Sequence, residues 1–127
     1  MPQRFQKHYS REEATALLPQ IRIWLDRVGE LRETLALCDK RLGGLRGGGE
    51  DLGGELVGKW IKAIAGLKDV LDEFQRREIF IKDIERGLLD FPALIGGREV
   101  FLCWERDEAN VEFWHDLDSG FSGREPL

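Results

Sequence analysis

The chain is predicted to be α+β: a long antiparallel, coiled-coil-like helical hairpin followed by a small antiparallel β module. Three observations predict it. Apolar residues recur at three- and four-residue spacing along two long stretches, residues 14–42 and 52–74. A tract in which seven of twelve residues, 43–54, are glycine lies between them and cannot hold a regular element. Past residue 78 the pattern shifts to short apolar runs broken by Gly, Pro and Asp, as in strands and turns.

Residues 4–9 alternate Phe5, Lys7, Tyr9 against Arg4, Gln6, His8. A period of two predicts a short strand that joins the sheet. Ser10 and Glu13 have the spacing of a capping box, in which each side chain accepts the other's backbone N–H. The first helix, residues 10–42, carries the stripe Ala14, Leu18, Ile21, Leu25, Val28, Leu31, Leu35, Cys38, Leu42. Pro19 removes one backbone bond without breaking the phase. After the link at 43–54, the second helix is expected over 51–77. Its stripe is Leu52, Leu56, Trp60, Ile64, Leu67, Leu71 and Phe74, with Val57, Ile61 and Val70 beside it. Residues 79–127 form the β module and tail. Ile79–Lys82, Leu88–Pro92 and Val100–Trp104 are its strands, and Asn110–His115 returns from a hairpin loop at 106–109. The expected register sets Trp104 opposite Val111, Leu102 opposite Phe113 and Val100 opposite His115, keeping Val111 and Phe113 on the core face.

At 127 residues, 42% of them apolar, the chain fits one small domain with a packed core. Its 19 basic and 24 acidic residues leave a formal charge of −5, which argues against nucleic acid as a partner, since phosphate binding needs a cationic face. No apolar run approaches the roughly 20 residues of a membrane span, and the first residues do not read as a secretory signal. Two separate cysteines, Cys38 and Cys103, fit buried thiols in a reducing, cytoplasmic setting. One hairpin of this length cannot cover two wide apolar stripes, so a homodimer forming a four-helix bundle is expected, with another protein as the further partner.

Two stretches carry a family resemblance. Tyr9–Pro19 (YSREEATALLP) resembles the opening of the bacterial family of domains of unknown function numbered 2203. Lys82–Ala93 (KDIERGLLDFPA), Gly97–Trp104 (GREVFLCW) and Trp114–Arg124 (WHDLDSGFSGR) resemble its more distinctive central and C-terminal motifs. The resemblance implies no activity.

Function on these grounds is a non-enzymatic dimeric scaffold, with a ligand or divalent-metal site in the tail as the alternative. The candidate ligand site is His115, Asp116, Asp118, Gly120, Gly123 and Arg124. Glycines let successive N–H groups converge on an anion, and a guanidinium clamps one with its fork. The bland reading of that segment has Phe121 plugging the core and Arg124 paired with Asp116, Asp118 or Asp90. The candidate metal set is His8, Asp83, Asp90, His115 and Asp118, since imidazole with carboxylates suits a divalent ion and could activate water for hydrolysis. Residues 53–59 spell G-x-x-x-x-G-K, but Trp60 stands where a nucleotide-binding loop needs Ser or Thr for Mg²⁺.

Overall fold

The computed structural model describes residues 3–44 and 54–127. Helix α1 spans Arg11–Gly44, 34 residues, and helix α2 spans Gly54–Arg76, 23 residues. The glycine-rich link and the expected start of the second helix at 51–53 lie mostly outside the described residues. Ser10 Oγ accepts the Glu13 N–H at 3.0 Å, and the Glu13 carboxylate accepts the Ser10 N–H at 3.1 Å, so the capping box is formed. Helix α1 passes unbroken through Pro19. Every residue of its predicted stripe is buried, except Leu35 and Leu42, which are half-buried.

The second stripe needs correction. Ala63 and Phe74 are buried, and Leu56, Trp60, Leu67 and Val70 are half-buried, whereas Ile64 and Leu71 are exposed. The packed face is turned toward the small residues. At Gly66 a methyl group would stand 3.3 Å from a Leu31 methyl of α1, so the approach uses the space that a missing side chain leaves. Close packing there outweighs the burial of two branched residues.

The five strands are β1 (Phe80–Asp83), β2 (Leu88–Ile95), β3 (Arg98–Trp104), β4 (Phe113–Asp116) and β5 (Glu125–Pro126). They pair antiparallel in sequence order, and a short 3₁₀ turn at Phe121–Gly123 precedes β5. Gly96 and Gly97, at φ +59° and +80°, make the β2–β3 turn in a region that side-chain-bearing residues rarely enter. The residues of β3 from Val100 to Trp104 are all buried.

The β3–β4 register is one residue away from the expected one. Phe101 pairs with His115, Leu102 with Trp114 and Cys103 with Phe113. The connection is longer than residues 106–109. The Glu108 carboxylate accepts the Glu105 N–H at 2.7 Å, Glu108 N–H donates to the Glu105 carbonyl at 2.8 Å, and Trp104 Nε1–H donates to the Glu108 carbonyl at 2.9 Å. Val111 is buried outside the strand, with its carbonyl bonded by Arg11 at 3.0 Å. Its burial therefore does not require a paired position, and the premise behind the expected register fails. The shift puts His115 on the same sheet face as Phe101.

Residues 3–10 do not form a strand. One backbone bond, Tyr9 N–H to the Pro92 carbonyl at 2.7 Å, links them to the sheet. Side-chain carboxylates take four of the other amides: Glu99 accepts from Arg4 at 2.7 Å and Phe5 at 3.0 Å, and Glu78 accepts from Gln6 at 2.8 Å and Lys7 at 2.7 Å. Glu78 holds φ +54° at the end of α2. Its N–H bonds the Gln75 carbonyl, and Ile79 N–H bonds the Phe74 carbonyl, which is the Schellman pattern of a helix C-terminus. Glycine is usual at that left-handed position. A glutamate there contributes the carboxylate that caps Gln6 and Lys7.

His8 Nε2 also meets Glu99, at 2.9 Å. Burial pushes the Glu99 carboxyl up, but the bonds from His8, Arg4 and Phe5 together outweigh it and hold the carboxyl below its ordinary value. A depressed folded value means that this contribution to stability is present above the unfolded carboxyl value of about 4.3 and is lost as pH falls through the folded one. On acidification the Arg4 and Phe5 amide resonances should therefore shift together, with a midpoint below about 4.3. Glu99→Ala should abolish that transition and expose both amides to exchange at neutral pH.

The chain divides into two compact units: the chain up to Ile23 with Glu73–Leu127, and Trp24–Asp72. In the first, Leu89, Phe91 and Trp104, which share one sheet face, are fully buried, with the Arg22 guanidinium 5.0 Å from the Trp104 ring centre. Arg22 also donates to the Arg106 and Glu108 carbonyls, each at 3.0 Å. Phe80, Asp90, Phe101, Cys103 and His115 lie on the opposite face.

Candidate functional site

Three neighbouring strands bring together the site on that opposite face. Asp90 of β2 pairs with Cys103 of β3, and His115 of β4 pairs with Phe101 of β3. Side chains of antiparallel partners point to the same face, so a carboxylate, a thiol and an imidazole converge. Each offers a ligand atom, and these atoms lie within 4.8 Å of one another. All three residues are buried, at 1–2% exposure. Among the described residues this is the one cluster of His, Cys, Asp or Glu close enough to share a metal ion.

Hydrogen bonding fixes the imidazole. His115 Nδ1 is 2.7 Å from the Asp116 carbonyl, and a carbonyl only accepts, so Nδ1 carries a hydrogen. Nε2 is 2.9 Å from Asp90 Oδ1. A single proton therefore lies between Nε2 and the carboxylate, on one or the other. Both side chains are only 2–3% exposed, so taking this pair out of water is costly.

Cys103 completes the cluster, and it was not among the residues expected from sequence. Burial first, and then the neighbouring Asp90 charge, push its thiol up to about 11, from an ordinary value near 9. The thiol thus stays protonated and unreactive at neutral pH in the folded chain. Iodoacetamide should label Cys103 at neutral pH only after denaturation, and mass spectrometry of tryptic peptides would show this. Rapid labelling of the native protein would contradict the burial.

A cavity of about 310 Å³ opens on the cluster. Lys82, Leu88, Phe101, Leu117, Asp118, Ser119, Gly120 and Phe121 also line it. Its walls are mostly apolar, with Lys82 and Asp118 supplying opposite charges. The Lys82 ammonium sits 5.6 Å from both the Phe80 and Phe101 ring centres. Gly120 takes φ +73°, which turns the tail across the cavity.

Of the other expected site residues, Arg124 stays beside the centre, its guanidinium 3.9 Å from Cys103 Sγ, and Asp118 and Gly120 line the cavity, whereas the rest separate from it. Asp116 is exposed and pairs with Arg98 at 2.9 Å. His8 binds Glu99 and not Asp90. Asp83 accepts the N–H groups of Glu85 and Arg86 and so shapes the β1–β2 turn. Gly123 lies in the 3₁₀ turn, where an added methyl would meet Ser119 Cβ at 2.8 Å. The amides of Gly123 and Arg124 bond the Gly120 and Phe121 carbonyls, so they are used within the turn instead of converging on an anion.

Arg124 pairs with none of the three aspartates expected for it. It grips Glu108 through two bonds, 3.0 and 2.7 Å, which hold its guanidinium well protonated, and it lies 4.0 Å from the Phe113 ring centre. The one-residue register shift and the longer β3–β4 loop bring Glu108 to it. Phe121 does not plug the core. It is held at the cavity edge between Arg86 and Arg124, each 4.4 Å from its ring centre. The G-x-x-x-x-G-K stretch is helix from Gly54 onward, so its described part is not a phosphate loop.

No described helix is long and apolar enough to cross a membrane. No curated protein and no solved structure matches the chain. The family model described as "Uncharacterized conserved protein (DUF2203)" matches residues 7–127, and the chain belongs to that family.

Proposed function

We propose that this DUF2203 chain binds a divalent transition-metal ion at Asp90, Cys103 and His115 and presents it to the adjoining cavity. The observation that carries this is the convergence of one nitrogen, one oxygen and one sulfur donor, all buried, from three strands of a rigid sheet. Borderline-soft ions such as Zn²⁺ take this mixed set, whereas Mg²⁺ and Ca²⁺ prefer all-oxygen shells. The Nδ1–H bond to a backbone carbonyl is the outer-shell contact that metal-binding histidines use to aim Nε2.

Metal would replace the proton between His115 and Asp90. The 2.9 Å gap would widen by about half an ångström to reach tetrahedral ligand spacing. The ion's charge would also stabilise the Cys103 thiolate against the burial that otherwise disfavours it. Three protein ligands leave a fourth position for water or a small ligand, the arrangement of open zinc sites. A reducing, cytoplasmic setting would keep the thiol available.

Cobalt(II) titration of untagged protein tests this directly. A stoichiometric thiolate-to-metal charge-transfer band is expected, lost in Cys103→Ser and in Asp90→Asn while the fold persists by circular dichroism. If the native protein takes up neither Co²⁺ nor Zn²⁺, the His115–Asp90 pair is a structural lock and the metal reading fails.

A second reading, a homodimeric scaffold whose hairpins build a coiled-coil-like four-helix bundle, is favoured by the apolar residues that α2 leaves exposed.

A further inference from the structure

Most charged groups around the cavity already have partners. Arg86 and Arg124, which flank Phe121 at its edge, are paired with Glu105 and Glu108, each at 2.7 Å. Asp90 is taken by His115, and Asp83 by the Glu85 and Arg86 amides. Lys82 and Asp118 differ. Both line the cavity and both are exposed, so they stand at its mouth. Among the described residues neither makes an ion pair, with the other or with a third group.

Each of these two charges is held in place. The Lys82 ammonium lies 5.6 Å from the ring centres of Phe80 and Phe101, and Phe101 is itself a wall of the cavity. Asp118 sits in a turn closed by the Ser119 N–H on the Asp116 carbonyl at 3.2 Å. Leu88, Phe101, Leu117 and Phe121 supply the apolar part of the lining. The volume, about 310 Å³, is at the small end of ligand pockets.

This lining selects by charge. A simple anion would satisfy Lys82 and stand against the Asp118 carboxylate, and a simple cation would do the reverse. A molecule carrying both charges meets both groups. We infer that the cavity binds a small zwitterion with an apolar side chain, of the free α-amino acid class, its carboxylate on Lys82, its ammonium on Asp118 and its side chain against Phe101 and its apolar neighbours. The inference rests on the reading of this cavity as a ligand site and adds the class of ligand. The charges that select it stand at the mouth, so its test is separate from that of the metal.

Nuclear magnetic resonance titration of the full chain with L-leucine, with isocaproate, which lacks the ammonium, and with isoamylamine, which lacks the carboxylate, tests it. L-leucine should shift the Gly120 amide and bind about fivefold more tightly than either analogue, the upper range for one exposed ion pair. Lys82→Ala should weaken leucine and isocaproate about fivefold and leave the amine unchanged, whereas Asp118→Asn should weaken leucine and the amine and leave isocaproate unchanged. Both positions are exposed, so both variants should keep the native circular dichroism spectrum. Leucine that fails to bind, that binds no better than its analogues, or that is indifferent to either substitution overturns the inference. Cobalt uptake without leucine binding overturns the zwitterion site alone, and leucine binding to protein that takes up neither Co²⁺ nor Zn²⁺ overturns the metal reading alone.

Discussion

Replacing Asp90 by alanine should lower stability by about 3–5 kcal/mol, the usual cost of stranding one member of a buried ionic pair. The carboxylate is 2.9 Å from His115 Nε2, and both side chains are at most 3% exposed. The abandoned imidazole is only 2% exposed, and its Nδ1–H is already committed to the Asp116 carbonyl. Asp90→Asn should cost far less, about 1 kcal/mol, because the new amide N–H can donate to a neutral Nε2. The pair of variants separates two roles of one residue. If the hydrogen bond alone matters, asparagine rescues both fold and metal uptake. If the carboxylate is a ligand, asparagine rescues the fold and leaves the metal unbound. Urea midpoints of the two variants measure the first role, and cobalt absorbance the second. A midpoint for Asp90→Ala within about 0.5 kcal/mol of wild type would show that the pair is not sealed from water.

Trp104→Ala should cost a similar amount, about 3–5 kcal/mol, for a different reason. Trp104 is fully buried at the end of β3, opposite Leu89. Its indole N–H holds the Glu108 carbonyl at 2.9 Å, and Arg22 lies over its ring. Truncation leaves a large cavity and releases one anchor of the β3–β4 loop. That loop carries Glu108, whose carboxylate holds Arg124. The loss should therefore spread to the tail beside the cavity. Hydrogen exchange should show faster exchange at Gly123 and Arg124 as well as in β3. A destabilised variant with unchanged tail exchange would show that loop and tail are uncoupled.

The contrast between these two residues shows what the sequence could reveal about the site. Trp104 sits in an unbroken apolar run, and its burial follows from pattern alone. Asp90 sits between Leu89 and Phe91 and reads as a polar interruption; nothing local says that its partner is 25 residues away. His115 was visible as a strand-ending imidazole, but its neighbours depended on a register that the pattern misassigned. Val111 caused the error: it is buried in a loop held by backbone and carboxylate bonds, where hydrophobic alternation does not apply. Cys103 looked like one more small core residue and became a ligand candidate only through pairing with Asp90.

Local rules determined a good deal without help. The capping box at Ser10, the phase of α1 through Pro19, the Gly96–Gly97 turn and the change from helix to strand after residue 78 all follow from interactions within a few residues, so the chain states them directly. Tertiary structure alone decided which face of α2 packs, because that depends on the space Gly66 leaves for Leu31. It also decided that Glu78 and Glu99, not a neighbouring strand, receive the N-terminal amides, and that Glu108, not an aspartate, holds Arg124. Each of these is a choice among chemically similar partners distant in sequence. Such choices are settled by which groups the packed backbone brings within bonding distance, and no local pattern records that.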